Sequence, residues 1–60
     1  MKFIRLPQVM ALTGLSRSSI YLGISEGRFP KQIALGARSV AWSSNEIEEW
    51  MTHCIDNRSN

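Results

Sequence analysis

The sequence contains one cysteine and no apolar run approaching the roughly 20 residues that a membrane-spanning helix requires. Cys54 alone cannot form a disulfide within the chain, whereas a secreted domain of this size usually needs several. The N-terminal segment shows no apolar stretch followed by a small-residue cleavage site, so we predict no signal peptide. These absences predict a cytoplasmic protein without a membrane partner.

Residues typical of catalytic and metal sites are also scarce. His53 and Cys54 are adjacent, so they would point about 100° apart on a helix, and the sequence offers no second His/Cys pair. It contains no glycine-rich phosphate loop and no nucleophile elbow. A chain this short buries roughly 60% of the surface that its unfolded form exposes, which leaves little room for a substrate pocket. We therefore expect a single domain spanning 1–60, ordered over about 3–56, with no enzymatic activity, metal or cofactor.

Charge is unevenly distributed along the chain. The net charge is +2, but six of the seven Lys and Arg residues precede Ser43, and four of the five Asp and Glu residues follow Trp42. The first two-thirds of the chain is suited to face phosphates, whereas the last third, where Arg58 is the single Lys or Arg, is not. The alternative is that these charges merely keep the surface soluble.

A first short helix is predicted near the N-terminus. Residues 3–6 alternate weakly and form either a short strand or an extended lead-in, and Pro7 suits the first turn of a helix over 7–13. Gly14 suits the left-handed residue that ends a helix, and Leu15 then packs against the core. The side chains expected on the buried face of this helix are Val9, Met10 and Thr13.

A second helix follows after a tight turn. Ser16 is a favourable N-cap for a helix from 17 to about 26, and Gly27 closes it. Ile20 and Ile24, four residues apart, should face inward. The side chains expected to point away from that apolar stripe are Ser18, Tyr21, Leu22 and Ser25.

The pattern after the break at 28–30 predicts a β-hairpin. Ile33 and Leu35 alternate on one strand and Val40 and Trp42 on the other, with residues 36–39 between them. We assign Trp42 to the core, because a small domain depends on a few large apolar side chains.

The last segment predicts the most clearly amphipathic helix of the chain. Ser43 and Glu46 have the spacing of a capping box, with Ser43 at the N-cap. Apolar residues then recur at i, i+3, i+4, i+7 and i+8, as a helix with one buried face requires. These residues are Ile47, Trp50, Met51, Cys54 and Ile55, of which Trp50 is also assigned to the core.

The predicted order of elements indicates a mainly α fold with a small β-hairpin. Helix, tight turn, helix, two-stranded wing and C-terminal amphipathic helix make up a winged helix-turn-helix, although two short helices joined by glycine also occur in proteins that bind no DNA. In this fold the first turn of the second helix would offer Arg17, Ser18 and Ser19 to a major groove of double-stranded DNA. Arg38 would lie at the tip of the wing.

The candidate DNA contacts come from the second helix, the segment after it and the wing. Arg17 should read a base or hold a phosphate, while Ser18 and Ser19 either touch phosphates and base edges or are simply exposed beside the cap. Tyr21 either donates its hydroxyl to a phosphate or covers the edge of the core with its ring. Arg28, Lys31 and Arg38 are predicted to contact the DNA backbone, and Lys2 and Arg5 are weaker candidates. The full predicted set is Arg17, Ser18, Ser19, Tyr21, Arg28, Lys31 and Arg38.

Four segments of the chain share a pattern with known regulators: RLPQV at 5–9, TGLSRSSIY at 13–21, EGRFPK at 26–31 and LGARSVAW at 35–42. Together they resemble the AlpA family of prophage-associated transcriptional regulators, which is related to phage excisionases and to the DNA-binding domains of MerR-type regulators. The resemblance runs from about Phe3 to Met51. It implies a winged helix-turn-helix that binds a promoter or attachment-site region and switches on an integrase gene or assists excision. Integrase, RNA polymerase and further copies of the chain on DNA are the partners it implies, and the protein would be nucleoid-associated when bound.

Two positions depart from the family's usual pattern. After Ile20 and Tyr21 the family generally has a basic residue and then a larger apolar one, where this chain has Leu22 and Gly23. Leu22 therefore removes a cation from the outward face. There the leucine could meet a thymine methyl group or a protein partner, or it is simply a tolerated exposed leucine, which is common on protein surfaces. Gly23 falls on the inward face and costs about 1 kcal/mol of helix propensity relative to alanine.

Two other functions stay open on the sequence alone. One is an architectural excisionase, which bends DNA for an integrase without activating transcription. The other, of a different class, is a protein-interaction adaptor that uses the acidic face of the C-terminal helix. Steep weakening of DNA binding by salt would separate the DNA-binding functions from the adaptor.

Overall fold

The computed structural model describes residues 2–57. Met1 and residues 58–60, among them Arg58, lie outside the described part. The elements are β1 (Phe3–Ile4), α1 (Leu6–Thr13), α2 (Arg17–Ser25), β2 (Ile33–Ala34), β3 (Val40–Ser43) and α3 (Ser44–Asp56). This order confirms the mainly helical winged helix-turn-helix. Within residues 2–57, no helix combines the length and apolarity needed to cross a membrane.

The turn between α1 and α2 has the local geometry that the sequence predicts. Helix α1 begins at Leu6, one residue earlier than expected, and ends where Gly14 adopts a φ of 73° and donates its N–H to the Met10 carbonyl at 2.8 Å. The Thr13 hydroxyl donates to the Val9 carbonyl at 2.8 Å, so Thr13, half-buried rather than buried, satisfies its polar group within the helix. Val9 is fully buried and Met10 is half-buried.

Helix α2 lies unusually close to the segment that follows it. It ends at Ser25, with Glu26 as the C-cap and Gly27 at a φ of 77°. Gly23 is buried, and a Cβ placed there would lie 3.0 Å from the Cβ of Phe29. The glycine that is unfavourable for helix propensity is therefore the residue that permits this close approach.

The sheet contains one strand more than the predicted two-stranded wing. Strand β3 lies in the centre, with β1 and β2 antiparallel on either side, in the order β1-β3-β2. Phe3 pairs with Ser43 and Ile4 with Trp42, so the extended lead-in becomes the third strand by covering the open edge of β3. A bond of 2.8 Å from the Ser44 N–H to the Lys2 carbonyl continues this pairing to the start of α3.

The wing is formed by β2, β3 and a short turn. Ile33 pairs with Ala41, and the Leu35 N–H donates to the Ser39 carbonyl at 2.8 Å, which leaves residues 36–38 to make the turn. Leu35 is exposed, contrary to the predicted alternation with Ile33. The reason is its position: residues 34–38 are all exposed, because the tip of the hairpin projects beyond the body of the domain.

The core is formed by side chains from every helix and from the sheet. Trp42 is fully buried at its centre, and its indole N–H donates to the Pro30 carbonyl at 3.0 Å. Trp50 is half-buried: its ring packs edge-on against Phe29 and its N–H donates to the Arg28 carbonyl at 2.8 Å. The buried apolar residues are Ile4, Val9, Ile20, Phe29, Ala41, Trp42 and Ile47.

Helix α3 begins as predicted but extends past the core. The Ser43 hydroxyl accepts the Glu46 N–H at 3.5 Å, which is the Ser43 half of the predicted capping box. Ile47 is buried, but Cys54 and Ile55 at the end of the apolar stripe are exposed. The amphipathic pattern therefore continues for a full turn beyond the part of the helix that packs on the domain.

Candidate nucleic-acid interface

Helix α2 presents one solvent-exposed face. Ser18, Leu22 and Ser25 recur at i, i+4 and i+7 and are all exposed, as predicted. Ile20 and Gly23, on the opposite side of the helix, are buried. Because Ile20 anchors the inward side in the core, the outward stripe has a defined orientation on the domain.

The N-terminal turn of α2 contains a pair of serines that bind each other. The Ser16 hydroxyl accepts the Ser19 N–H at 3.1 Å and donates to the Ser19 hydroxyl at 3.0 Å. Ser19, one of the predicted contacts, thus forms part of the helix cap and keeps its own hydroxyl proton for an outside acceptor. The N–H groups of Arg17 and Ser18 lie in the first turn, where a helix provides no acceptor, so they are suited to bind an anion.

Tyr21 lies between the core and the exposed face, which corrects the prediction that it points away from the core. Its ring is half-buried and meets Trp42 edge-on with the ring centres 6.3 Å apart. The Arg17 guanidinium lies over the same ring, 5.7 Å from its centre. The ring of Tyr21 therefore covers the edge of the core and lies beside Arg17, and donation of its hydroxyl to a phosphate stays a prediction.

Arg28 has a fixed backbone and a paired side chain. Its N–H donates to the Gly23 carbonyl at 2.9 Å, and its carbonyl accepts the indole N–H of Trp50. Its guanidinium binds the Glu26 carboxylate through Nε at 2.7 Å and Nη2 at 2.6 Å. Both side chains are at least half exposed, so this pair contributes at most about 1 kcal/mol and a phosphate can compete with it.

The other predicted cations lie on or beside the wing. Lys31 is exposed and follows Pro30, whose carbonyl is held by the Trp42 indole. Arg38 is exposed in the turn of the hairpin. Arg5, a weaker candidate in the sequence, donates from its Nη1 to the Val40 carbonyl at 3.2 Å and therefore lies against the base of the wing. Sequence reasoning gave Arg5 little weight, because a contact across 35 positions of the chain leaves no local signal.

The acidic residues of the described part are concentrated on α3. Glu46, Glu48, Glu49 and Asp56 are all exposed on this helix. Asn45, Thr52 and His53 share an open groove on this helix with three of these carboxylates. Within residues 2–57 no group of three or more His, Cys, Asp or Glu side chains is placed to hold a metal ion. Since phosphates repel carboxylates, this helix is the surface least suited to face a nucleic acid.

The fold and the separation of charge define a winged helix-turn-helix protein with a basic wing and an acidic C-terminal helix. The family model described as prophage CP4-57 regulatory protein (AlpA) matches residues 2–55. The chain belongs to this family, which confirms the resemblance found in the sequence.

The chain is also similar to two proteins from a phage and a bacterium. The chain is 49% identical over 57 residues to an uncharacterized protein, ORF88, of enterobacteria phage P4, a match that covers 95% of this chain and 65% of the phage protein. It is 37% identical over 57 residues to the DNA-binding transcriptional activator AlpA of Escherichia coli K12, a match that covers 85% of this chain and 81% of that protein. The chain therefore spans slightly less than two thirds of the phage relative and about four fifths of the activator.

Proposed function

We propose that this chain is a DNA-binding transcriptional regulator of a prophage or integrative element. The observation that carries the proposal is the exposed face of α2, anchored in the core by Ile20 and flanked by a basic wing. Membership of a family of prophage regulators supports it, as does the 37% identity to a protein named as a DNA-binding activator.

In the proposed complex α2 lies in the major groove and the hairpin rests on the adjacent backbone. Arg17 and Ser18, at the start of α2, contact base edges or the phosphate nearest the helix end. Lys31 and Arg38 contact phosphates, and Arg28 does so by exchanging the Glu26 carboxylate for a phosphate oxygen. The acidic helix α3 faces away from the DNA.

The regulated process is proposed to be integrase expression or excision of the element. Integrase, RNA polymerase and further copies of the chain are the candidate partners on that DNA, as the resemblance to the AlpA family implies. The same docking of α2 and the wing would also serve an architectural excisionase.

The decisive test is footprinting of the purified protein on the DNA that flanks its own gene and the nearest integrase gene. We expect one or more protected regions and an affinity that falls steeply with salt, since several phosphate contacts release counterions. A scrambled duplex of equal length and composition is the control. Absence of any protected region, together with no measurable affinity for either duplex, would contradict DNA binding and leave the adaptor function.

A second measurement separates the two DNA-binding functions. In cells that express integrase from an unrelated promoter, a regulator of integrase transcription becomes dispensable for excision. An architectural excisionase remains necessary under the same conditions.

A further inference from the structure

Leu22 occupies the centre of the exposed face of α2. Its side chain is 52% exposed, with Ser18 one turn before it and Ser25 one turn after it on the same stripe. Within residues 2–57 it is the large apolar residue that α2 leaves in solvent. Over the described part of the chain, the exposed large apolar residues are Phe3, Leu12, Leu22, Leu35 and Ile55.

The backbone beneath Leu22 is held on two sides. Its carbonyl accepts both the Ser25 hydroxyl at 2.8 Å and the Glu26 N–H at 3.0 Å. The next residue, Gly23, packs directly against Phe29. The side chain therefore projects from a fixed point of the domain, as a residue that reads a ligand must.

The chemistry of a leucine limits what it can recognise in DNA. Leucine has neither a donor nor an acceptor, so it gains nothing from the polar atoms of the base edges or from phosphates. The apolar group that a base pair presents in the major groove is the C5-methyl group of thymine. Ser18 precedes Leu22 by four residues, so the two residues lie about 6 Å apart along the helix axis. This distance corresponds to about two base-pair steps of DNA.

We propose that Leu22 is a specificity-determining residue that contacts a thymine methyl group in the major groove of the target DNA. The proposal rests on the proposed function, since it requires α2 to lie in that groove. A leucine at this exposed position offers no charge to phosphates, so its contribution would be selection of a thymine rather than sequence-independent attraction.

The test uses deoxyuridine, which differs from thymidine only by the missing methyl group. Binding sites are first selected by the wild-type protein from a pool of random-sequence duplexes, and each thymine of the selected site is then replaced by deoxyuridine in turn. We expect one replacement to weaken wild-type binding about four-fold, the effect of losing one buried methyl group. In the Leu22→Ala variant the same replacement should have no effect, because the partner of the methyl group is gone.

Leu12→Ala is the matched control, since Leu12 is a leucine of nearly equal exposure, 55%, on α1. This variant should keep the full response to deoxyuridine, and circular dichroism should show both variants folded. If the wild-type protein selects a site but every replacement affects wild type and Leu22→Ala equally, Leu22 does not read a methyl group, although the proposed function stands. If the wild-type protein enriches no sequence at all, both proposals are overturned.

Discussion

Helices α2 and α3 are built on the same plan, yet they present opposite surfaces. Each follows a serine whose hydroxyl accepts the N–H three residues on, at 3.1 Å in α2 and 3.5 Å in α3. Each buries an isoleucine completely, Ile20 in one and Ile47 in the other. The exposed side of α2 carries hydroxyls, a leucine and an arginine, whereas that of α3 carries carboxylates. The framework residues therefore explain why both helices exist, and the exposed residues are what suit α2, rather than α3, to the proposed contact with DNA.

The two helices also differ in how far the domain supports them. Helix α2 is held near its C-terminal end by the contact between Gly23 and Phe29. Helix α3 packs through Ile47 and Trp50, but its last turn exposes Ile55 to 59%. The domain therefore holds α2 through its second half, where Ile20 and Gly23 are buried, and α3 through its first half, where Ile47 is buried.

The largest expected effect comes from removing the support that both helices share. Trp42 is fully buried, contacts Tyr21 of α2 and directly precedes the N-cap of α3. Trp42→Ala should cost about 3–5 kcal/mol, which is most of the stability of a domain this small, so the variant should be largely unfolded at 25 °C. Urea denaturation followed by circular dichroism measures this.

The matched control is Trp50→Phe, which keeps a ring beside Phe29 but removes the hydrogen bond to the Arg28 carbonyl. It should cost about 1 kcal/mol. If Trp42→Ala unfolded at the same urea concentration as the parent, the core would not depend on this side chain.

A smaller loss of stability is expected from adding a methyl group where α2 lies against Phe29. In Gly23→Ala the added methyl group would lie 3.0 Å from the Cβ of Phe29, which is 6% exposed and cannot move aside easily. Overpacking costs about 1–3 kcal/mol, and alanine returns about 1 kcal/mol of helix propensity, so we expect a net loss of stability. Gly36→Ala, where the methyl group meets nothing within 4 Å, is the control and should leave the melting temperature nearly unchanged. A stabilised Gly23→Ala would mean that Phe29 relaxes.

The sequence predicts the structural features that depend on residues close together in the chain, such as where the helices begin and end. Gly14, Ser16 and Ser43 end or begin helices through bonds within a few residues, so their patterns are visible in the chain itself. The pairing of β1 with β3 and the contact of Tyr21 with Trp42 join distant segments and have no local signature. For the same reason the sequence marks Gly23 as a weak helix residue but does not indicate that Phe29 lies against it.

Two substitutions at the proposed DNA contacts separate the reading of a base from the binding of a phosphate. Arg17→Ala should cost about 1–3 kcal/mol on the selected site and much less on random DNA if Arg17 reads a guanine. Arg38→Ala should weaken binding to all sequences alike and lower the salt slope by about one unit, because it removes one phosphate contact. Titrations of both variants on selected and scrambled duplexes at several salt concentrations provide the measurement. Equal losses on both duplexes for Arg17→Ala would make Arg17 a phosphate contact, and unchanged binding by both variants would contradict the docking of α2.

The smallest effect on DNA affinity is expected from substitutions on the acidic helix α3. Glu48 and Glu49 are exposed on α3, and in the proposed complex they lie away from the phosphates. Glu48→Gln and Glu49→Gln should therefore leave DNA affinity unchanged or raise it slightly, since each removes a negative charge whose field is largely screened beyond a Debye length of about 8 Å at physiological ionic strength. Glu26→Gln is the informative comparison, because it releases the Arg28 guanidinium from its ion pair and should raise affinity more than either change on α3. The three variants are compared on the selected duplex in low and in physiological salt. A loss of affinity in Glu48→Gln or Glu49→Gln, with the fold intact by circular dichroism, would mean that α3 contacts the DNA complex and that the proposed orientation is wrong.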